Sequence, residues 1–520
     1  MSVRKKLISN TFYLFLNWFS VTFFSLLYWL LLGKFFSPAD YGIISTSTQF
    51  SLFLAAVSFL GLNWTTIKLL PEFIQKKKMR EISYLINFSL KTFIFSSSLF
   101  VILFLILSSL NFIKLPHDAI LITVLTVPTI VFANYLANIL YGFQQMKKFA
   151  SLNFIGQLTK VVVTSIFIIL SFHWLNEELA QRCYLGPLIA FFFSYFVMIL
   201  VRLRKVEVLP QKPKKVDKKL VMKYAIPAFI VVILRQLFTN THFIILSSLT
   251  TQEITGYFAV AFKIASFVMV IPNVLTSALF PLTSQLSADK SSKRKQAELV
   301  SSTLRYSLFL SIPILLIIPF FSKYAILLFA KEDYLPATEY LPSLLISSLF
   351  LGVSLLLLST LYAIKKPEEY RNIYLVATLT YLPMAFVLTK EYSASGLAYA
   401  YLSVTFLFFA LSAWRVKKHL KLTFNYKNFF KIVGASFLSL TFLWIIKPFI
   451  PNILLAIPVA ILAVLIYLFV LLKLRFYSEE DLLIIDFFIE RMPKKMKLIK
   501  NLAVKIRDYL SKNISQFPEK

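Results

Sequence analysis

Cysteine, histidine and acidic residues are scarce in this chain. A single cysteine, Cys183, leaves no internal disulfide, thiolate metal site or redox pair to be made, and the four histidines are scattered. Asp and Glu number 24 against 55 Lys and Arg, and none falls near the middle of a long apolar run. Exporters of organic cations, and pumps coupled to protons or sodium through a buried carboxylate, generally need an acid there. A Gly-rich phosphate loop, a nucleotide motif, a Ser-His-Asp set and paired metal ligands are missing too. No catalytic group, metal or cofactor is therefore expected, and ATP-driven pumping has no motif to support it.

What is present is apolar. Hydrophobic residues make up 58% of the 520 and charged ones only 15%, a balance that belongs in a membrane rather than in a soluble domain. The formal charge of +31 raises the question of nucleic acid, but the basic residues sit in short clusters between apolar runs and not along one soluble face. No nucleic-acid partner is expected.

A helix crosses a hydrocarbon core of about 30 Å with roughly 20 apolar residues. About fourteen such runs recur: 11 to 32, 43 to 64, 86 to 110, 119 to 140, 152 to 172, 183 to 203, 224 to 247, 255 to 280, 304 to 326, 338 to 363, 371 to 389, 396 to 414, 430 to 449 and 453 to 473. The first follows a basic opening like that of a secretory signal. It is too long for one, and no small-residue cleavage site follows, so it is expected to be retained. Basic clusters fall on alternate connections, from RKK at the N-terminus to WRVKKHLK at 414 to 421, and mark the cytoplasmic side. Both termini are then cytoplasmic. The opposite connections, such as FFSPAD, LTTQEIT, AKEDYLPATEY and KEYSA, are short and hold most of the loop acids. They leave no room for a folded outer domain.

The Pro- and Lys-rich stretch 204–223 reads as a solvated joint dividing the spans six and eight. The two parts resemble each other. LGKFFSPADYG at 32 to 42 matches LSSLTTQEITG at 246 to 256, LYGFQQMKKFASLN at 140 to 153 matches LYAIKKPEEYRNIY at 361 to 374, and the segment from Gly186 matches that from Gly396. The near-equal offsets favour a repeat of six spans, in residues 1–203 and 224–415. Two copies that enter from the same side are related by a pseudo-twofold axis along the membrane normal. Residues 416–473 add two further spans. The tail, 474–520, mixes basic and apolar residues at helical spacing and fits either a helix lying on the inner membrane surface or a solvated one.

On these segments, and on LLGKFFSPADYGIISTSTQF, ILSSLTTQEITGYFAVAFKIASF and the LYGFQQMKKF loop in particular, the whole chain resembles the polysaccharide and lipid-linked oligosaccharide flippases of the multidrug, oligosaccharidyl-lipid and polysaccharide (MOP) exporter superfamily. The resemblance implies an all-α polytopic membrane protein of MATE-like fold: two six-helix lobes around a central cavity, opening alternately to either side. It implies a substrate as well, a polyprenyl-phosphate or -pyrophosphate lipid carrying a short glycan, with membrane lipids and other polysaccharide-assembly membrane proteins as partners.

Arg235 lies eleven residues beyond Tyr224, about 16 Å deep. An arginine there costs about 2.5–3.5 kcal/mol unless it faces protein or water. Thr239 and His242 share its helical stripe, with Gln236 and Asn240 flanking, which suggests a cavity wall; carbonyls of a neighbouring helix are the inert alternative. Lys263 sits about eight residues into the eighth span. Asn17, Gln49 and Asn63 add amides on the first two spans, where interhelical bonding explains them equally well. Lys160 and Lys91 lie nearer the cytoplasmic ends, where snorkelling would serve; Lys323 is a weaker candidate. Together the cavity set is Arg235, Lys263, His242, Thr239, Asn17, Gln49, Asn240, Lys160 and Lys91, a cationic lining suited to phosphate. The competing functions are a multidrug or small-molecule exporter of the same superfamily and, more remotely, a membrane glycosyltransferase or ligase acting on lipid-linked sugars.

Overall fold

The computed structural model describes residues 3–174, 182–203, 214, 216–287, 292–420, 422, 425–450 and 453–477, with further positions between 481 and 511. Most of the basic joint and much of the tail fall outside the described residues, and with them the membrane-surface reading of the tail. The described elements are helical throughout. In chain order they are α1 (Val3–Phe35), α2 (Pro38–Ser58), α3 (Leu62–Gln75), α4 (Met79–Ser109), α5 (His117–Gly142), α6 (Met146–Trp174), α7 (Leu185–Leu203), α8 (Lys218–Leu249) and α9 (Gln252–Ser266). They continue with α10 (Val270–Leu286), α11 (Lys293–Phe320), α12 (Ser322–Phe329), α13 (Leu341–Ala363), α14 (Pro367–His419), α15 (Tyr426–Ile446) and α16 (Ile453–Lys473).

Twelve helices among the described residues are long and apolar enough to cross a membrane, and α2 with α3, bent by 50° at their junction, adds a thirteenth. α14 counts once in that tally, yet its 53 residues would reach about 80 Å, more than twice the hydrocarbon thickness. Its backbone breaks at Tyr392 (φ −122°, ψ 15°) and Ser393 (φ 54°, ψ −138°), inside the KEYSA connection. Divided there, α14 supplies two spans and the total is the fourteen expected from sequence.

By packing, the chain forms two compact units. One comprises Met1–Ser266, Ala325–Phe350 and Lys366–Leu411; the other comprises Phe267–Tyr324, Leu351–Lys365 and Ser412–Lys520. These units group helices by packing rather than by repeat, and they interleave along the chain. In the first unit, buried Leu69, Leu70, Leu85, Ala133, Leu140 and Ala225 join α3, α4, α5 and α8 in one apolar cluster. In the second, Leu443 of α15, Ala456 and Ala463 of α16 and Phe321 form another.

The pairing of α2 with α9 positions the candidate site. α2 starts with Ser37, whose side chain accepts the Asp40 N–H (3.2 Å), followed by Pro38 at the first helical position. At the matched point before α9, Thr251 Oγ1 accepts the Ile254 N–H (3.3 Å). Five residues beyond each cap stands a glycine, Gly42 and Gly256, and here the helices cross. A Cβ on Gly42 would lie 1.8 Å from the Gln252 carbonyl oxygen, and one on Gly256 would lie 1.9 Å from that of Pro38. Each glycine thus rests on the carbonyl four residues before the other, a local twofold relation between the two segments matched in sequence. Small residues permit such approach between membrane helices, where dispersion rather than water exclusion drives association.

Candidate functional site: a carboxylate-free cluster of buried lysines

Behind the crossing, α1, α6, α8 and α9 bring two lysines into the interior of the first unit. Lys160, midway along α6, is only 6% exposed, and its Nζ lies 4.8 Å from the centre of the Tyr28 ring. Lys263, in the last turn of α9, is half-buried, with its Nζ 4.1 Å from the centre of the Trp29 ring. Consecutive aromatic residues of α1 therefore carry one ammonium each. The two lysines are close enough for their charges to repel, and His242 of α8 feels the Lys263 charge in turn. Neither lysine ion-pairs with an acid among the described residues. Among described residues classed as buried, Asp481 is the only acid, and it lies beyond the last span.

A cation on an aromatic face gains about 2 kcal/mol when desolvated, less than it loses on leaving water. Tyr28 and Trp29 lower that cost without cancelling it. The lysines are thus held short of full compensation.

Placement of the other expected residues is mixed. Arg235 is exposed, two turns of α8 before His242, and no hydrogen bond or ion pair to its guanidinium is found among the described residues. His242 is 1% exposed and does not line open space. Its ring sits 4.4 Å from those of Phe243 and Phe262, and neither ring nitrogen has a hydrogen-bond partner. Thr239 donates to the Arg235 carbonyl (2.8 Å) and Asn240 to Gln236 of its own helix, so both are engaged locally. Gln49 is buried at 9% in α2. Asn17 accepts from Asn153 Nδ2 of α6 (2.8 Å), which is the interhelical-bonding alternative realised. Lys91 is exposed on α4, whose chief packing partners are α2, α3 and α5, and it is not brought to the cluster. For Lys160 the snorkelling alternative fails, because its ammonium is held in mid-helix over Tyr28 rather than at a helix end.

Interhelical bonds of this type contribute about 0.6–1.7 kcal/mol. Asn17→Ala is therefore expected to lower the unfolding temperature in detergent modestly while leaving activity intact. A large loss of activity at wild-type stability would return Asn17 to the ligand site.

Cys183, half-buried in the turn before α7, has its thiol pushed up by burial and then by the Asp40 charge, with Lys331 pulling the other way.

Many apolar spans and a close crossing of matched helices define a polytopic helical membrane protein. Residues 7–287, more than half of the chain, match the model of the family described as polysaccharide biosynthesis protein, and the chain belongs to that family. Residues 227–387 match the MatE family model. The fold is similar to that of the lipid II flippase MurJ in an inward closed conformation (TM-score 0.69, 19% identity, 88% of this chain and 97% of that one). It is also similar to an inward-facing multidrug resistance MATE family transporter of the MOP superfamily (TM-score 0.61, 13% identity, 76% and 95%). A third similar structure is a mutant of the Vibrio cholerae MATE transporter VcmN (TM-score 0.52, 17% identity, 80% and 97%). A search of curated proteins finds no match.

Proposed function

We propose that the protein is a flippase that moves a polyprenyl-phosphate- or pyrophosphate-linked oligosaccharide from the inner to the outer leaflet of the cell membrane by alternating access. Both termini then lie in the cytoplasm, and residues 1–203 and 224–415 act as two lobes, followed by two additional spans. The observation that carries this reading is the pair of Lys160 and Lys263, neither of them ion-paired with an acid among the described residues. A phosphate supplies the missing negative charge. At an effective dielectric near 20, a pair of unit charges 4 Å apart is worth about 4 kcal/mol, and Arg235 can hold two phosphate oxygens at once. The lipid tail stays in the bilayer throughout.

Membership of a polysaccharide biosynthesis family and the fold shared with a lipid II flippase support the same reading. A cation exporter of MATE type needs a buried acid in its spans, which the buried described residues do not offer. An enzyme acting on lipid-linked sugars needs an outer-side acidic cluster for metal or base. Among the described residues, no group of three His, Cys, Asp or Glu is placed to hold a metal.

Cells lacking the protein are expected to accumulate a lipid-linked glycan on the inner leaflet, and Arg235→Ala or Lys263→Ala to restore export only partly. Each substitution removes a charge-assisted contact of about 1.5–3 kcal/mol, or roughly a ten- to hundred-fold loss. Wild-type export by both variants would sink the mechanism.

A further inference from the structure

The second unit carries a polar cleft that the proposed transport does not use. α11 and α15 pack side by side and leave an opening of about 170 Å³, lined by Ser301, Ser302 and Arg305 of α11 and by Asn425 and Asn428 at the start of α15. Its other wall is apolar, with Leu308 and Ile432. The space is an order of magnitude more than one water needs.

Donors dominate the polar wall. The N-terminus of α15, a helix of 21 residues, opens beside the cleft with the positive end of its dipole. Asn425 caps that helix by accepting the Asn428 N–H (3.1 Å) through Oδ1, which leaves its side-chain amide as a donor. Ser301 Oγ is buried without a hydrogen-bond partner. The Arg305 guanidinium is fixed in place by Asp481, which also accepts from Tyr306 Oη (2.5 Å), and by the faces of Tyr306 and Phe476. The guanidinium is thus an oriented cation beside the cleft, with one of its nitrogens engaged by Asp481 and Tyr306.

The surroundings match a lipid more closely than a soluble anion. Lys427 and Lys431 stand in the first turns of α15, and Lys431 Nζ donates to the Arg475 carbonyl (2.8 Å) just past the end of α16. Basic residues at such a boundary attract anionic headgroups. Further along α15, Phe430 and Phe437 are each 67% exposed, as side chains that face acyl chains are.

We propose that this cleft binds a phosphate ester, in the membrane the headgroup of an anionic phospholipid, with the phosphate at Arg305, Ser301 and the α15 N-terminus and the glycerol against Leu308 and Ile432. This site is separate from the lysine cluster, and its occupancy can be measured whether or not transport is occurring.

The test uses the full chain in nanodiscs of phosphatidylglycerol and phosphatidylcholine, extracted into detergent, with retained lipid counted by native mass spectrometry. Wild type is expected to retain phosphatidylglycerol in preference. Asn428→Asp, which adds a carboxylate to the cleft yet suits the first turn of a helix, is expected to lower that preference about five-fold, with unfolding temperature unchanged. Ser301→Leu, which fills the cleft, is expected to do the same. In a second arm, inorganic phosphate and glycerol 3-phosphate are titrated onto delipidated protein. Binding that both variants weaken would support the phosphate site and identify water as its source. Lipid retention and phosphate binding indifferent to both variants would overturn the proposal.

Discussion

Gly42→Val is expected to abolish export and to destabilise the protein. Even the Cβ of alanine at this position would lie 1.8 Å from the Gln252 carbonyl oxygen, a backbone atom that cannot swing aside. α2 and α9 would have to separate by roughly 1.5 Å to restore van der Waals contact. Overpacking of this kind costs about 1–3 kcal/mol and sometimes more, and valine adds two methyl groups to it. If the α2–α9 crossing is a closing contact of the proposed cycle, it closes in one state and opens in another. A destabilisation of 1–2 kcal/mol lowers the population of the closed state by a factor of about 5–30. Gly256→Val should act in the same way, because its Cβ meets the Pro38 carbonyl at 1.9 Å. The two alanine variants offer a stricter check. Both push apart the same pair of helices, so the double variant should cost less than the sum of the singles. Unfolding temperature in detergent and accumulation of lipid-linked glycan in cells are the readouts. Alanine variants that are additive, stable and fully active would show that the crossing is not a closing contact.

The spans were legible in the sequence because the water-free bilayer core admits only helices and closed barrels, whose backbone groups are bonded internally, and long apolar runs reveal the first of these. Even the division of α14 was readable, since KEYSA places polar residues where Tyr392 and Ser393 break the helix. Other breaks were not. α2 gives way to α3 at Leu60 and Gly61, both with positive φ, and α9 gives way to α10 through Phe267–Met269, yet hydropathy runs on through each junction. Hydropathy averages over a window, and a backbone turn inside an apolar run leaves that average untouched.

The site divides along similar lines. Arg235 and Lys263 were visible because a charge in an apolar run is costly wherever it points. Their aromatic partners were not. Tyr28 and Trp29 sit in a first span crowded with aromatic residues, in a chain that has 54 Phe, 25 Tyr and 6 Trp, and nothing in the sequence separates a ring under an ammonium from a ring against lipid. His242 shares the Arg235 stripe as expected, but Phe243 and Phe262 close over it, because the stripe turns inward as α8 approaches α9. Helical spacing defines a face; it does not say which part of that face another helix covers.

Lys160 shows most sharply how stability and function should part. Lys160→Met is expected to raise the unfolding temperature and to cut export. Lys160 is 6% exposed, its ammonium is repelled by Lys263 and, among the described residues, it is compensated only by the Tyr28 ring. Replacing a buried charge by an apolar side chain of similar length removes its desolvation cost, a change that is neutral or stabilising by about 1–4 kcal/mol in comparable cases. A residue retained only for packing would behave in the opposite way, with methionine leaving export alone. If Lys160 meets the phosphate, losing it removes a charge-assisted contact of about 1.5–3 kcal/mol, so export should fall roughly ten- to hundred-fold. Lys160→Arg, which keeps the charge but changes its shape and reach, should retain more export than methionine while gaining none of the stability. Thermal unfolding and lipid-linked glycan accumulation, measured on the same three proteins, separate the cases. A methionine variant that is less stable and still exports at the wild-type rate would remove Lys160 from the site, leaving Lys263 and Arg235 to bind the anion without it.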